Sequence, residues 1–394
     1  MTFRVPMSAP DLTPADVEAV HAVLATSYLS MGPRIDEFEK QFAAYVGTAH
    51  AAGVSSGTSG LHLAVIAAGI GPGDLAITTP FSFISSANCL LYEGGIPLFV
   101  DIDPETLNVD ASLVAEAARD LASGGKAARR WLPPALQHRA DSPRDLKAIL
   151  AVDVFGQPAD YDSLRRTASE HGLVLVEDAC EAIGAEYKGR RAGTLGDVAV
   201  FAFYPNKQMT TGEGGVVVTD SKEWDTLFRS LRNQGRDESG TWLNHVRLGY
   251  NYRLDEMSAA LGLSQLARID DLLQKRERVA RMYGEHLRRV EGVTAPVVAP
   301  TTTRQSWFVY VVRLAPDVDR QAVMARLHEQ GIACRPYFTP IHLQPFYVER
   351  FGYRPGSFPV TEAVSQSTLA LPFHGELDEE TVALVCKALR EACA

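Results

Sequence analysis

Residues 199–218 read AVFAFYPNKQMTTGEGGVVV. An apolar run typical of a buried strand leads to Lys207, and a turn rich in threonine and glycine then leads to a second apolar run. A lysine at the end of a core strand loses part of its hydration. This loss favours the neutral amine, which can attack carbonyl carbons. A surface lysine that simply ends a strand is the alternative, and this stretch taken alone favours that alternative.

The sequence on both sides of this stretch alternates between apolar runs and helical patterns. The predicted strands are 75–79, 96–100, 148–152, 173–176, 198–203 and 216–219, with helical patterns between most of them, for example 58–68, 112–121 and Tyr161–His171. Two helices precede them, one opened by Thr13 and Pro14, the other at 34–46 and ended by Gly47. This alternation predicts an α/β fold, with a mostly parallel sheet covered by helices on both faces.

The pattern changes near residue 255, where we place a boundary between a large domain, 1–255, and a smaller α+β domain, 256–394. A long helical pattern over 255–290 opens the second domain. The further predicted elements are a linker at 296–303, strands at 307–314 and 332–335, and helices at 320–330 and 379–392. Residues 119–147 are rich in Arg, Ala, Pro and Gly, so we expect an insertion that forms an inert surface loop rather than a cover over an active site.

The composition is that of a soluble globular protein. The chain has 394 residues, of which 46% are hydrophobic and 22% charged, and this excludes a disordered or fibrous chain. Asp and Glu outnumber Lys and Arg by 48 to 38, and the net charge of −10 disfavours nucleic-acid binding. The sequence contains neither an apolar run long enough to span a membrane nor a visible secretory signal, so we expect a cytoplasmic location. The five cysteines form no Cys-x-x-Cys pair, which predicts a reducing compartment and no metal site.

A second stretch brings acidic residues to the end of a predicted strand. Residues 173–181 read LVLVEDACE, so Glu177 and Asp178 follow four apolar residues. In open α/β sheets, ligands bind at the carboxyl ends of the strands. A carboxylate there can keep a pyridinium nitrogen protonated. A helix N-cap or a surface ion pair is the alternative for Asp178.

A third stretch, residues 54–62, reads VSSGTSGLH and leads a turn of Ser, Gly and Thr directly into a helix. The free backbone N–H groups and the dipole of such a helix start favour a phosphate group. A simple N-cap by Thr58 or Ser59 would explain the same residues.

Residues 53–57 also match the Gly-x-Ser-x-Gly pattern of a hydrolase nucleophile. Ser55 would be the nucleophile, with Asp178 and His342 following in the required order. That interpretation needs a buried strand before Ser55, and residues 47–52 are not predicted to form one. The hydrolase is therefore a minor alternative.

Taken in order, these motifs resemble the DegT-type nucleotide-sugar aminotransferases, which are pyridoxal phosphate (PLP) enzymes of fold type I. The resemblance covers nearly the whole chain. It is carried by SSGTSGLHLA, GIGPGD, PFSFISSAN, PLFVDID, VFGQPADYD, VLVEDACEAIGAEYKGRRAGTLGDVAVFAFYPNKQMTTGEGG, LRNQGR, LGYNYRLDEMSAALG and PIHLQPFY. It implies a large domain whose mostly parallel sheet lies between helices, followed by a smaller C-terminal α+β domain.

The resemblance implies a role for each matching residue. Lys207 would bind PLP covalently and move a proton between the cofactor and the substrate carbon. Asp178 would form a salt bridge with the ring nitrogen, so that the ring can withdraw electrons. The other implied cofactor contacts are Phe83 on the ring, Gly57, Thr58 and Ser59 on the phosphate, and Asn251 and Arg253 on the phosphate held by the neighbouring subunit. The active site would therefore be shared within a homodimer.

Two positions depart from the commoner family pattern. Ala202 stands five residues before the lysine, where the family usually has a phosphate-binding serine. Glu181 stands three residues after Asp178, near the ring oxygen of the cofactor, where many members have His or Gln. Glu181, Asn206 and the TTGEGG turn are most similar to the perosamine-synthase-like branch, which aminates 4-keto-6-deoxy sugar nucleotides. Lys207 argues against a related dehydratase branch, which has His at that position.

We therefore expect a PLP-dependent aminotransferase that moves an amino group from L-glutamate to a nucleotide-linked keto sugar, for deoxyamino-sugar or surface polysaccharide synthesis. Tyr337 and His342 are candidates for the sugar side of the site, and packing in a proline-rich turn explains them equally well. Three alternatives stay open: another cyclic ketone such as an inosose as acceptor, glutamine as donor, and a non-catalytic regulator with the PLP fold.

Overall fold

The computed structural model describes residues 3–140, 145–237, 243–288 and 290–394. Its helices are α1 (Pro14–Leu24), α2 (Pro33–Val46), α3 (Gly57–Ala67), α4 (Ser85–Tyr92), α5 (Ala111–Ser123), α6 (Gly125–Arg129), α7 (Tyr161–His171), α8 (Lys222–Arg232), α9 (Glu256–Leu266), α10 (Ile269–Leu287), α11 (Arg320–Glu329), α12 (Pro345–Phe351), α13 (Pro359–Ser367) and α14 (Glu379–Cys393). Its strands are β1 (His50–Val54), β2 (Leu75–Thr78), β3 (Ile96–Phe99), β4 (Leu146–Val152), β5 (Val174–Asp178), β6 (Glu186–Tyr187), β7 (Arg190–Arg191), β8 (Val198–Ala202), β9 (Gly215–Thr219), β10 (Val293–Thr294), β11 (Thr302–Arg304), β12 (Tyr310–Leu314) and β13 (Thr368–Leu371).

The central sheet has seven strands in the order β1-β9-β8-β5-β4-β2-β3. Neighbouring strands from β3 to β8 are parallel, and β9 runs antiparallel to both β8 and β1. Helices cover both faces, so the α/β fold expected from the sequence is confirmed. Because β4, β5 and β8 are parallel, their carboxyl ends meet at one edge of the sheet.

Strand β8 is buried on both faces, as a central strand of a covered sheet must be. Val198 and Val200 pack into the core on the side of α3, while Ala199 and Phe201 pack on the side of α2. Gly60 lets α3 approach the sheet closely, because a Cβ atom added there would lie 2.6 Å from Cγ1 of Val200. This close approach fixes where α3 begins relative to the end of β8.

A smaller antiparallel sheet, β10-β12-β13, forms in the C-terminal part of the chain. Helices α10, α11 and α14 build its core, which includes Val279, Val312 and Val385. Helix α10 also reaches the core beside α2 through Leu272, so it contacts both hydrophobic cores. The division into two domains at residue 255 stays a prediction. In the described part of the chain, no helix combines the length and the apolarity needed to cross a membrane.

The prediction of one long helix over 255–290 is wrong, because α9 and α10 are separated at Ala267 and Arg268. Arg268 adopts φ −121°, and its guanidinium donates to Asp11 at 2.8 Å and to Asp16 at 3.0 Å. Neither glycine nor proline marks this break in the sequence. Tertiary ion pairs with the N-terminal region stabilise it instead.

Two smaller predictions near the C-terminus also need correction. Residues 332–335 form isolated bridges instead of a strand, pairing Val5 with Ile332 and Arg335 with Ala370. The predicted linker over 296–303 runs into β11, which pairs with β6.

The segment 119–147 is more ordered than the predicted surface loop. Helix α5 continues through Ser123, α6 follows, and a short 3-10 segment spans Pro134–Arg139, while residues 141–144 lie outside the described residues. Leu132 is buried in the core beside α5, and the Trp131 indole donates to Asp120 at 2.8 Å. Aromatic and aliphatic side chains therefore anchor this segment to the body of the protein.

The expectation that residues 47–52 would not form a buried strand is wrong as well. His50–Val54 is strand β1, antiparallel to β9, and Ala51, Ala52 and Gly53 are buried in it. These small residues have weak β-propensity, so the strand is specified by pairing with β9 rather than by its own sequence.

Asp153, directly after β4, carries a fully buried carboxyl group. Its Oδ1 accepts hydrogen bonds from the Tyr161 hydroxyl at 2.9 Å and from the Ala159 N–H at 3.1 Å, whereas its Oδ2 has no partner among the described residues. Burial, together with the neighbouring Glu177 carboxyl, raises the pKa of Asp153 well above its usual value. The folded protein therefore holds a proton on this group that the unfolded chain releases in weak acid.

We predict that Asp153→Asn removes a pH-dependent loss of stability. A carboxyl group whose pKa is higher in the folded state favours folding most below its unfolded pKa, about 4, and that contribution is lost as the pH rises. The wild-type free energy of unfolding should therefore fall more steeply from pH 4 to 7 than that of the variant. Urea unfolding at several pH values measures both slopes. Equal slopes would show that Asp153 is ionised in the folded protein.

Candidate active site

A cavity of about 500 Å³ lies at the carboxyl ends of β4, β5 and β8, next to the starts of α3 and α4. The topology explains its place, because parallel strands deliver their last residues to the same edge of the sheet. It is lined by Ser56, Gly57, Thr58, Ser82, Phe83, Ser85, Ser86, Val152, Asp178, Cys180, Glu181, Ala202, Tyr204, Asn206, Lys207, Glu213, Gly214, Phe308, Tyr337 and Phe338.

Lys207 lies in the turn that follows β8. Its N–H donates to the Tyr204 carbonyl at 2.9 Å, and its carbonyl accepts from the Arg276 guanidinium at 2.8 Å. The side chain is 13% exposed, and its Nζ lies 3.6 Å from Oε1 of Glu181 and 3.7 Å from the centre of the Phe308 ring. The amine is therefore held in a half-closed cavity between a carboxylate and an aromatic face.

Arg276 supports this turn from α10. Its guanidinium is buried, and it also donates to the Phe308 carbonyl at 3.1 Å. Burial lowers the pKa of Arg276 to about 10, so the guanidinium stays charged at neutral pH. One buried cation thus joins the backbone of Lys207 to that of Phe308, the two residues whose side chains face each other in the cavity.

Asp178 ends β5 and is 3% exposed. Its Oδ2 accepts from the Ser86 hydroxyl at 2.7 Å, and its Oδ1 accepts from the Cys180 N–H at 3.2 Å. These two bonds orient the carboxylate, and each oxygen keeps a lone pair for a donor inside the cavity.

Glu181 is also buried, and burial raises its pKa, although the nearby Lys207 ammonium acts in the opposite direction. Its Oε2 accepts from the Phe155 N–H at 2.9 Å, which leaves Oε1 facing Lys207. Gly156 makes that backbone turn possible at φ +85°, because a Cβ atom there would lie 1.6 Å from the Ser306 carbonyl oxygen. Glu181 and Lys207 therefore form a close ion pair at 3.6 Å, in a place where burial opposes ionisation of the carboxyl group.

The start of α3 forms the opposite wall. Ser56 is the N-cap, and its Oγ accepts from the Ser59 N–H at 3.1 Å. The Ser59 hydroxyl is occupied by the hydroxyls of Ser55 and Ser56, at 3.0 and 2.8 Å. Gly57 and Thr58 line the cavity, and the first N–H groups of a helix have no acceptor within the helix, so this wall favours an anion.

The structure brings most of the predicted site residues to this cavity. Those that line it are Lys207, Asp178, Glu181, Phe83, Gly57, Thr58 and Tyr337. The Phe83 ring is 61% exposed and therefore free to stack on a bound group. The described residues of the 119–147 segment do not contribute to the lining.

Four predicted residues lie outside the lining. Ser59 is held by its serine neighbours, Asn251 is exposed, and the Arg253 guanidinium donates to Asn233 at 3.1 Å. His342 is fully buried, and its Nε2 lies 3.0 Å from Glu362. Its ring packs on Phe358 and Tyr353. These contacts favour a packing role for His342 over a position beside a bound sugar.

This placement also removes the hydrolase alternative. Ser55 does lie between a strand and a helix, as that alternative requires. Its hydroxyl pairs with Ser59, however, and the imidazole of His342 pairs with Glu362, so Ser55 and His342 do not form the nucleophile–base pair that a hydrolase needs.

Sequence reasoning missed several residues of the site. Ser86 orients Asp178, Arg276 holds the turn of Lys207, and Phe308 faces its amine. The sequence did carry a signal for Ser86, because this residue lies in PFSFISSAN, at the start of a helix and close to a predicted strand end. Arg276 and Phe308 come from distant parts of the chain, and nothing in the local sequence marks them.

Comparisons with known proteins agree with this geometry. The model of the "DegT/DnrJ/EryC1/StrS aminotransferase family" matches residues 10–390. The chain is 37% identical to GDP-perosamine synthase of Caulobacter vibrioides, over 98% of this chain and 97% of the relative. It is 34% identical to the spore coat polysaccharide biosynthesis protein SpsC of Bacillus subtilis, over 98% and 96%. Among solved structures, S. venezuelae DesV in complex with a ketimine intermediate superposes with a TM-score of 0.85 at 35% identity, covering 99% of this chain and 98% of that one.

The chain therefore belongs to the DegT/DnrJ/EryC1/StrS aminotransferase family and is a PLP-dependent aminotransferase. The residues at the cavity fit this cofactor. A lysine amine, a buried carboxylate and a helix N-terminus line one space of about 500 Å³. The missing side chain of Gly57 lets the start of α3 lie directly against Ala202 and Cys180, which also line the cavity.

We predict that Gly57→Ala weakens PLP binding. The added Cβ would lie 2.7 Å from the Ala202 Cβ and 2.8 Å from the Cys180 Sγ, so the start of α3 must move. Such overpacking costs about 1–3 kcal/mol, and PLP affinity should fall about tenfold. Fluorescence titration of the apoprotein with PLP measures the loss. Gly71→Ala is the matched control, since its nearest neighbour, Asp74 Oδ2, lies 3.8 Å away. Unchanged affinity in Gly57→Ala would show that the helix start does not hold the phosphate.

Proposed function

We propose that this protein transfers the amino group of L-glutamate to a keto sugar nucleotide, with a 4-keto-6-deoxy sugar as the acceptor. The observation that carries the proposal is the convergence of Lys207, Asp178 and the start of α3 on one cavity, in a chain of this aminotransferase family. Relatives at 34–37% identity are named for perosamine and for spore coat polysaccharide synthesis, which supports a sugar as the acceptor.

Each residue then has a physical task. Bound PLP supplies an electron sink for the substrate carbon. Asp178, oriented by Ser86 and the Cys180 N–H, would accept a hydrogen bond from the ring nitrogen and keep it protonated. The N–H groups at the start of α3 and Thr58 would hold the phosphate, and Phe83 would cover one face of the ring.

Lys207 would hold the cofactor through its amine and would move protons at its Nζ. The neighbouring Glu181 can hold a proton for it, because burial raises the pKa of that carboxyl. The Phe308 ring at 3.7 Å stabilises the ammonium form between transfers. General acid–base catalysis needs this kind of geometry, with the proton donor and acceptor both within reach.

The charge of the cavity supports a site shared by two copies of the chain. Among the described residues that line it, Lys207 is the one lysine or arginine. A single cation supplies little positive charge for the diphosphate group of a sugar nucleotide. Asn251 and Arg253 lie outside the lining of their own cavity, on a segment that exposes Leu243, Val246 and Leu248. We propose that a second copy covers these apolar side chains and that Asn251 and Arg253 serve the cavity of that copy.

The cysteines support a cytoplasmic location, where nucleotide sugars would be the acceptors. All five cysteines are free, and Cys89 and Cys334 are buried. The proposed partners are therefore the sugar nucleotide, L-glutamate and a second copy of the chain, without nucleic acid or membrane.

We predict that Lys207→Ala abolishes amino transfer. Loss of the group that moves the proton should reduce the rate at least about 10³-fold. The measurement is the 2-oxoglutarate formed from L-glutamate by PLP-loaded protein without any acceptor, together with the visible spectrum. Wild type should form one equivalent per site, and glutamate should bleach its colour. Lys126→Ala, an exposed lysine of α6, is the control and should behave as wild type.

Each opposite outcome identifies one of the alternatives. A wild-type protein that takes up no PLP would overturn the cofactor assignment. Bound PLP whose spectrum no amino acid changes would favour the regulator. Conversion by glutamine and not by glutamate would change the donor, and turnover with an inosose and with no keto sugar nucleotide would change the acceptor.

We predict that Leu248→Asp weakens self-association. Leu248 is 83% exposed, and a charge placed in a buried interface should raise the dimer dissociation constant at least about tenfold. Analytical ultracentrifugation of both proteins measures it. Val297→Asp, at a valine that is 42% exposed in another segment, is the matched control. A wild-type protein that stays monomeric at micromolar concentration would contradict the shared site.

A further inference from the structure

A partly buried polar cluster lies behind the start of α3, outside the lining of the cavity. His62, on α3, is 3% exposed, and its Nε2 lies 2.7 Å from Oε1 of Glu93. Its Nδ1 lies 3.1 Å from the Tyr252 hydroxyl. The Tyr250 hydroxyl donates to the same Glu93 oxygen at 2.9 Å, and the rings of Tyr250 and Tyr252 stack 5.0 Å apart. We call these four residues the His62 cluster.

One arrangement of hydrogens satisfies every group in the His62 cluster. The Nε2–H of a neutral imidazole donates to Glu93, the Tyr252 hydroxyl donates to Nδ1, and the Tyr250 hydroxyl donates to Glu93. Burial lowers the pKa of His62, which favours this neutral form. These hydrogen bonds favour a single geometry, because moving the buried imidazole would leave its two ring nitrogens without partners.

The His62 cluster joins two helices that begin at the cavity. His62 lies five residues beyond Gly57, about 7.5 Å along the axis of α3. Glu93 directly follows α4, whose first turn contains Ser86, the donor to Asp178. The cluster therefore fixes the position of α3 relative to the C-terminal end of α4.

The third element of the cluster is the segment 250–253, and it contacts the turn before α3 directly. The Tyr252 carbonyl accepts from the Ser55 N–H at 2.8 Å, and Arg253 pairs with Val54 in a β-bridge. Tyr252 is thus held at both ends, by its hydroxyl on His62 within α3 and by its carbonyl on Ser55 just before α3. This double attachment sets the position of the turn 55–58.

Packing alone does not account for this choice of residues. An apolar side chain at position 62 could fill the same space, yet it would leave the Tyr252 hydroxyl and one Glu93 hydrogen bond unsatisfied. The polar residues instead define the angle between α3 and the segment 250–253. The start of α3, which lines the cavity, directly follows the contact between Ser55 and Tyr252.

We propose that His62 is a positioning residue that, through Tyr252 and Glu93, holds the turn 55–58 in the geometry that binds the phosphate of the cofactor. This inference rests on the proposed function, in which that turn receives the phosphate. It gives a task to a histidine that touches neither cofactor nor substrate.

The test compares PLP with pyridoxal, which has the same ring and no phosphate. In wild type, PLP should bind the apoprotein far more tightly than pyridoxal. In His62→Phe, the affinity for PLP should fall about tenfold or more while that for pyridoxal changes less than about twofold. Tyr252→Phe removes one hydroxyl and no ring volume, so it should shift the ratio in the same direction. His62→Gln can keep a donor to Glu93 and should restore part of the ratio, and His21→Gln, at an exposed histidine of α1, is the control.

Hydrogen exchange of the ligand-free protein provides a second readout that does not depend on the cofactor. The backbone amides of residues 55–60 should exchange about tenfold faster in His62→Phe and Tyr252→Phe than in wild type. Failure of wild type to bind PLP would overturn the proposed function, and the exchange rates would still decide whether the His62 cluster holds the turn.

Three results would overturn the inference. The first is an unchanged PLP to pyridoxal ratio in folded His62→Phe and Tyr252→Phe. The second is an equal loss of affinity for both ligands, which would indicate a general packing role. The third is unchanged exchange at residues 55–60.

Discussion

The structure depends on holding charge at the carboxyl ends of β5 and β8, where water is largely excluded. Asp178, Glu181 and Arg276 are all buried there, and Lys207 is nearly so. An isolated charge in such a place costs several kcal/mol of stability, so each must have fixed partners. The positions of the surrounding loops follow from the need to supply those partners.

The chain supplies many of these partners from its backbone. Carbonyls of the Lys207 turn and of Phe308 accept hydrogen bonds from the Arg276 guanidinium, and the Phe155 N–H donates to Glu181. Glu177, one residue before Asp178, follows the same rule on the other side of the strand. Its carboxyl accepts N–H groups of Leu195 and Gly196, at 2.9 and 3.0 Å, while burial raises its pKa to about 7. Backbone partners are rigid, so the charged groups keep their geometry before any ligand binds.

How much of this could be read from the sequence follows from the same physics. Lys207 and Asp178 were predictable because each ends or follows a strand whose direction the α/β pattern fixes, and parallel strands bring such ends together. Gly57 was predictable because it directly precedes a helical pattern. Arg276 was not, since its basic neighbourhood is typical of a solvated helix face and its burial depends on carbonyls from distant loops. The sequence did not predict strand β1 or the break at Arg268 for a related reason. Contacts across the fold specify both of them, and neither has a local signal. Sequence pattern thus locates the residues on regular elements, whereas residues that act through long-range contacts appear only in the folded structure.

Ala202 shows how these constraints combine at the start of α3, the end of the cavity that favours an anion. It offers no hydroxyl, and its Cβ faces Gly57 so closely that α3 can begin there only without a side chain. The hydroxyl of Ser59 is already used by its serine neighbours. Within one copy of the chain, the donors left at this end are Thr58 and the N–H groups at the start of α3. The directions of those N–H groups depend on how the helix is set against the sheet and against the segment 250–253. Where side-chain donors are few, affinity for the phosphate depends on the placement of the backbone, and the residues that fix that placement matter as much as those that touch the ligand.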